Sequence, residues 1–315
     1  MRVFPAVLAF LAMHAQGQTG SWQLTWYDEF DGPVNTLPDA AKWNIEVVAN
    51  PANNEAQYYT NRTRNVSLNG AGQLELTAYK EVYGAKQYTS GRINTSGKFQ
   101  QTYGRWEAMM KLPAGTGMWP AFWMLGNNNG CGGWPNCGEL DIMENRGRLP
   151  MVSSSAIHGP GYSGNTPIVH TYNLPVASPS FFAAFHIFAV EWDAGQVRFY
   201  VDGNLHYTVT RANIEVYGNW VFNHPFYTLL NLAIGGVFDN NQLPPDSAFP
   251  AKVTVEYVRV YAPSTIAIQP RHPDQARDGL SVLGFANGKL SVLSGGRSLT
   301  LSGRALRPNP SGGRP

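Results

Sequence analysis

Apolar and polar positions alternate with period two over much of the chain. Residues 185–192 read FHIFAVEW and alternate until Asp193-Ala194-Gly195-Gln196 breaks the run as a turn. Residues 197–203, VRFYVDG, alternate again and end on Asp202-Gly203, a hairpin signal. The runs GQLELTAY (72–79), GRWEAMMKL (104–112), FYTLLNLAI (226–234) and KVTVEYVRVY (252–261) behave alike. Successive side chains of a strand point to opposite faces, so each run predicts a strand. Helical periodicity is hard to find, which leaves helix for short surface pieces. Many short strands with regular turn punctuation predict an all-β sandwich or jelly roll of two antiparallel sheets.

Composition agrees with this pattern. Aromatic residues make 12% of the 315 positions and charged residues only 14%, with 33 Gly and 22 Pro as turn formers. A core rich in aromatic residues suits strands better than a helical bundle. The same rings suit a protein that stacks against flat apolar ligand faces, sugars among them.

The ends of the chain differ from its body. Met1-Arg2, the apolar run Val3–Met13 and the small residues Ala15 and Gly17 read as a secretory signal over residues 1–17. That run is too short for a permanent membrane anchor, and no other stretch is long enough. Export predicts a secreted or cell-surface protein. In that setting the close pair Cys131 and Cys137, in CGGWPNC, predicts a small disulfide loop, the alternative being two reduced thiols. With no nearby His, the two Cys do not make a zinc site. Residues 18–262 read as one large domain. Residues 263–315 read as a linker and a basic tail, β-prone or disordered, with three weak strands around Asn287-Gly288 and Gly295-Gly296. From Ala262 onward seven Lys/Arg stand against Asp274 and Asp278. That net +5, within a chain of net +2, leaves −3 for the body. The body therefore has no basic bias toward nucleic acid.

The candidate chemistry lies in GELDIMENRG, residues 138–147, where Glu139, Asp141 and Glu144 interrupt an apolar run. On a helix the three would point to about 0°, 200° and 140°, so Glu139 would face away from the others. On a regular strand Glu139 and Asp141 share a face and Glu144 falls on the other. One extra residue, a β-bulge near Met143, restores the parity and puts all three acids on one open face. Two carboxyl groups flanking a scissile bond are what glycoside hydrolysis needs. With a bulge, Glu139 and Glu144 are four steps apart, roughly 13 Å between Cα atoms. Two long Glu side chains close that gap on a curved face, which favours the shorter, retaining separation. Clustered carboxylates also suit calcium, but the flanking tryptophans do not suit a cage for a hard cation.

Several blocks carry a family resemblance: WYDEFDGP (26–33), NNEAQYYT (53–60), YTSGRI (88–93), YGRWEAMMKLPAGTGMWPAFWMLG (103–126), WPNCGELDIME (134–144), HGPGYSG (158–164) and VEYVRVY (255–261). In this order they resemble glycoside hydrolase family 16, in its laminarinase-like branch, from about Trp22 to Tyr261. The resemblance implies a β-jelly roll with a concave cleft for a linear β-1,3-glucan. It implies Glu139 as nucleophile, Glu144 as acid/base and Asp141 as the assisting carboxylate. The E-x-D-x-x-E spacing, with Met143 as the extra residue, goes with laminarinases, and E-x-D-x-E with lichenases. Trp123 and Trp134 match residues flanking the sugar next to the scissile bond. Asn54 and Arg92 match polar contacts on the non-reducing side, and His158 a residue near the leaving group. Trp offers a sugar a flat platform plus an N–H, and Asn and Arg supply directional hydrogen bonds. Trp119 reads as core packing. The resemblance further implies one structural calcium at Glu29, Gly72 and Glu256, although the family often has Asp where Glu256 stands. No cofactor is required for the chemistry. The expected partner is a polysaccharide, with no nucleic acid, no membrane span and a monomeric chain.

Two other functions share these residues. One is another polysaccharide hydrolase of the family, a lichenase, agarase or carrageenase, and sulfated polymers would favour a more basic cleft. The other is a glucan-binding protein without catalysis, in which relatives usually lose the acids that are intact here.

Overall fold

A computed structural model of the chain describes residues 22–128 and 130–264, together with the backbone of 281–286, 289–294 and 297–302. The predicted signal segment 1–17, most of the linker and the dipeptides 287–288 and 295–296 lie outside the described residues. Two compact units divide at Ser264/Thr265.

The strands of the first unit are β1 (Trp22–Asp28), β2 (Asn44–Ile45), β3 (Gln57–Tyr59), β4 (Val66–Leu68), β5 (Leu74–Tyr83), β6 (Lys86–Ser90), β7 (Arg92–Asn94), β8 (Gly104–Lys111), β9 (Met118–Gly126), β10 (Glu139–Glu144), β11 (Val152–His158), β12 (Ile168–Asn173), β13 (His186–Trp192), β14 (Gln196–Val201), β15 (Asn204–Thr210), β16 (Phe226–Ile234) and β17 (Ala251–Pro263). They form a ten-stranded sheet ordered β15-β14-β13-β8-β17-β5-β6-β3, with β1 on β17 and β4 on β5. A second, seven-stranded sheet runs β12-β11-β10-β9-β16-β7-β2. Among the described residues all strand pairings are antiparallel except β3 with β6. The all-β sandwich expected from the sequence is therefore present. Among the described residues helix is limited to Arg211–Ile214 and two short 3₁₀ turns, as the missing 3.6-residue period predicted.

Alternation explains the layers. β8 buries every second residue, and Trp106, Ala108 and Met110 go inside. From the other sheet Phe122 and Met124 of β9 and Leu230 and Leu232 of β16 meet the same core. Aromatic rings fill the space between: Trp192 packs on Trp106 at 4.8 Å and edge-on to Phe226 at 5.5 Å. Each buried side chain of this size contributes about 1.5–3 kcal/mol relative to exposure. The turns follow local chemistry. Asp193 Oδ1 accepts from the N–H groups of Gly195 and Gln196 between β13 and β14. Asp202 (φ 49°) and Gly203 (φ 77°) take the positive φ values of a two-residue hairpin before β15.

The second unit contains β18 (Ser281–Ala286), β19 (Lys289–Ser294) and β20 (Arg297–Ser302), an antiparallel three-stranded meander. Among the described residues no helix is long and apolar enough to cross a membrane.

Candidate active site

The bulge in β10 is present. Asp141 and Glu144 are three residues apart, yet they pair with Ala156 and Ser154 of β11, two residues apart. On the other side Asp141 pairs with Trp123, Met143 with Phe122 and Glu144 with Ala121. Ile142 and Met143 together occupy one step of each neighbour, and both join the core with Leu140. In the register with β9 the unpaired residue is Ile142 rather than Met143. The effect on parity is the one expected: Glu139, Asp141 and Glu144 share the face turned away from the core.

Each glutamate receives a tryptophan N–H. Trp134 Nε1 donates to Glu139 Oε2 at 2.5 Å, and Trp119 Nε1 donates to Glu144 Oε1 at 3.0 Å. Trp134 is 52% exposed, so one indole bonds the acid while its ring stays open to a ligand. It sits in the loop closed by the Cys131–Cys137 disulfide, whose Cα atoms are 5.3 Å apart. Trp119 packs as the sequence led us to expect and does one thing more. Its ring is buried and stacks on Phe238 at 5.0 Å, with the Arg146 guanidinium 3.8 Å from the other ring centroid, but its N–H serves Glu144. Gly236 (φ 83°) lets the backbone pass this indole, since a Cβ there would lie 2.7 Å from the ring.

Burial dominates the electrostatics. It raises the Glu139 pKa well above the usual carboxylate range, and the Asp141 carboxylate beside it adds to the rise. Asp141, 3% exposed, is raised well above its usual range by burial and then by Glu144. Burial raises Glu144 to about 7, against the Trp119 N–H, which favours the ionised form. Three acids crowded into one row cannot all be ionised near neutrality. His158, paired with Glu139 across β11, places Nε2 2.9 Å from Asp141 Oδ2 and 4.0 Å from Glu139 Oε1. Donor atoms of Glu139, Asp141 and His158 lie within 4.8 Å of one another, a spacing a metal ion could span. The indole N–H groups on both glutamates present positive ends to the row and suit anionic oxygens rather than a cation.

Of the remaining expected ligand contacts, Trp123 and Arg92 fall in register with the acid row, and Asn54 does not lie on a strand. Trp123 lies beside Asp141 in the register and donates its N–H to Asn231 Oδ1 at 2.8 Å. Arg92 of β7 is paired in register with Asn231. Its guanidinium lies 5.2 Å from the Trp123 ring centroid and 5.6 Å from that of Tyr59, and its Nε is 3.0 Å from Glu46 Oε2. Asn54 is exposed in the loop before β3 (φ 57°) and makes no hydrogen bond with the acids. The carbonyl of Asn53 beside it accepts from Val237 N at 2.9 Å, which ties that loop to the turn over Trp119. Asn231, Trp119 and Tyr227, which pairs with Leu125 beside Glu139, were not singled out from the sequence as neighbours of the acid row. Parity could have found two of them, because Tyr227 and Asn231 fall on one face of FYTLLNLAI as its polar members.

Of the expected calcium residues, Glu29 and Gly72 lie beside one another, and Glu256 is on β17, the strand that pairs with β1 and β5. Glu256 is the extra residue of a bulge in β17, between Val255, paired with Met110, and Tyr257, paired with Met109. A Cβ on Gly72 would lie 3.8 Å from the Glu29 carbonyl and 3.5 Å from Asp31 Oδ1. The Glu29 carboxylate itself is taken by Arg259 in a two-pronged pair of 2.7 and 2.8 Å. With its carboxylate engaged by Arg259, Glu29 offers a hard cation only its backbone carbonyl here.

The family model for glycosyl hydrolases family 16 matches residues 53–259. A β-glucanase of Rhodothermus marinus is 37% identical over 249 residues, covering 76% of this chain and 85% of its own length. The catalytic domain of an endo-1,3-β-glucanase (laminarinase) from Thermotoga petrophila superposes with a TM-score of 0.72 at 41% identity, covering 78% of this chain and 100% of that one. The endo-β-1,3-glucanase of Pyrococcus furiosus gives 0.73 at 40% identity, covering 78% and 96%. The chain belongs to glycosyl hydrolase family 16, and the matched span includes the whole acid row.

Proposed function

We propose that the protein is a retaining, endo-acting hydrolase of β-1,3-glucosidic bonds in laminarin-type glucans, with mixed-linkage β-1,3-1,4-glucan as a further substrate. One observation carries this reading: a bulge brings Glu139, Asp141 and Glu144 onto one open face, and each glutamate there receives an indole N–H. The similarity to laminarinases supports the linkage.

In the mechanism that follows, Glu139 attacks the anomeric carbon and forms a glycosyl ester as the glycosidic C–O bond breaks. Glu144 gives its proton to the departing oxygen. It then takes a proton from water, the water oxygen displaces Glu139, and both residues return to their starting states. A pKa of about 7 suits a group that must give and regain a proton near neutrality. Burial raises both Glu139 and Asp141, and in this mechanism the pair shares one proton. With that proton on Asp141, which then donates to Glu139, Glu139 is the ionised nucleophile. Trp123 and Trp134 are the stacking platforms for the sugar beside the bond, and Arg92 and Asn54 the polar contacts beyond it. His158, through Asp141, belongs to the leaving-group side.

The chain is read as an exported monomer with a signal at residues 1–17, a catalytic domain to residue 262 and a separate tail. The disulfide supports an oxidising destination. A calcium ion at Glu29, Gly72 and Glu256 would be structural, far from the chemistry.

Glu139→Gln tests the central roles. It should lower turnover of laminarin about 10³-fold or more while leaving laminarin binding intact. Release of reducing ends from lichenan, agarose or carrageenan but none from laminarin would overturn the substrate reading. Equal activity of wild type and variant would overturn the site.

A further inference from the structure

A second bulge lies opposite the catalytic one, and a hydrogen-bond chain joins them through the sandwich. In β15, Tyr207 pairs with Phe199 and Leu205 with Tyr200, so His206 is an extra residue there. Its Nε2 lies 3.4 Å from the hydroxyl of Ser155, a buried residue on the core side of β11. Ser155 Oγ–H in turn donates to the carbonyl of Ile142 at 2.8 Å. Ile142 is the residue left over in the β10 register, two positions before Glu144.

A bulge takes its extra residue out of the ladder. A buried carbonyl there costs free energy unless it finds a donor. Ser155 is that donor. Its one proton is committed to Ile142, so it can only accept from His206, which must carry its proton on Nε2. The Nδ1 of His206 is then a bare acceptor, and it is buried without a hydrogen-bond donor. The ring is held by its neighbours. His170, the register partner of Ser155, stacks on it at 5.6 Å and Tyr172 packs at 5.0 Å. His170 stacks further on Tyr207 at 4.7 Å.

We infer that Ser155 and His206 are positioning residues for Glu144: the chain from His206 Nε2–H through Ser155 to the Ile142 carbonyl holds the bulge that aims Glu144 into the cleft. The inference rests on the reading of Glu144 as the acid/base. Burial, aided by His170, lowers the His206 pKa to about 4. The ring therefore stays neutral, with its Nε2 proton in place, across the range in which Glu144 titrates.

The test compares kcat/KM on laminarin with kcat/KM on a 2,4-dinitrophenyl β-laminarioside. This leaving group needs no proton, and kcat/KM reports only the steps through glycosyl-enzyme formation. Ser155→Ala should lose about tenfold or more on laminarin and less than about twofold on the activated glycoside. His206→Phe keeps the ring packing without the donor and should show the same split, less severely. His206→Gln keeps an N–H and should return to within about twofold of wild type on both. Glu144→Gln is the control and should show the largest split. If Glu144→Gln loses both substrates equally, the acid/base reading fails. If it splits while Ser155→Ala and His206→Phe match wild type on laminarin, the positioning chain fails. Equal losses on both substrates in Ser155→Ala would mean general loosening and also overturn it. Should Ser155→Ala fail to fold, the His206→Phe and His206→Gln pair decides alone.

Discussion

Two indole N–H groups set the two glutamates apart from ordinary buried acids. Trp119 opposes the effect of burial on Glu144 by bonding its ionised form, so its removal leaves Glu144 holding a proton to higher pH. The proton is needed for leaving-group departure, so kcat/KM should fall as pH rises past about 7. A hydrogen bond to a charged group is worth about 1.5–3 kcal/mol. Trp119→Phe keeps the stack on Phe238 and should move that basic limb upward by about one pH unit. A pH–rate profile superimposable on the wild type would show that Trp119 does not act on Glu144. The same residue marks how far the sequence could be read. Glu139, Asp141 and Glu144 stood out because charges are sparse around them. Trp119 did not, because a Trp in an apolar run reads as core, and its ring is indeed buried. Only the fold shows where its N–H points.

The bulge is the element that turns a strand into a catalytic row. It was legible because parity forbids three outward acids at this spacing on a regular strand. The unpaired residue was less legible: Met143 marks the family motif, whereas the register leaves out Ile142. Asn231 under Trp123, and Ser155 under the bulge, depend on pairings between strands distant in sequence, which local alternation does not encode. The Trp134 loop is the other element at the site. Its disulfide closes a short loop worth about 2 kcal/mol in the chain-entropy picture. Replacing Cys131 and Cys137 with Ser should lower Tm by about 4–8 °C. It should also raise KM for laminarin about threefold or more, because Trp134 is no longer held over Glu139. Unchanged KM in that double variant would detach the loop from substrate binding.

At the scale of the molecule, the acid row, its tryptophans and the whole sandwich fall within the first compact unit. A chain ending at Ser264 should therefore keep kcat and KM on laminarin within about twofold of the full protein, since no residue of the site is removed. A tenfold loss would make the second unit part of the working enzyme. The sandwich was readable from alternation and turns alone; the second unit holds three strands, and its task has no signature in the sequence. The most direct test of the central claim is time-resolved proton NMR of laminarin digestion by the whole enzyme, which reports linkage and anomeric outcome together. The first products should be β-1,3-linked oligosaccharides carrying the β-anomer at the new reducing end, with the α-anomer appearing later by mutarotation. An α-anomer appearing first, or no release from laminarin, would contradict retaining β-1,3-glucan hydrolysis by Glu139 and Glu144.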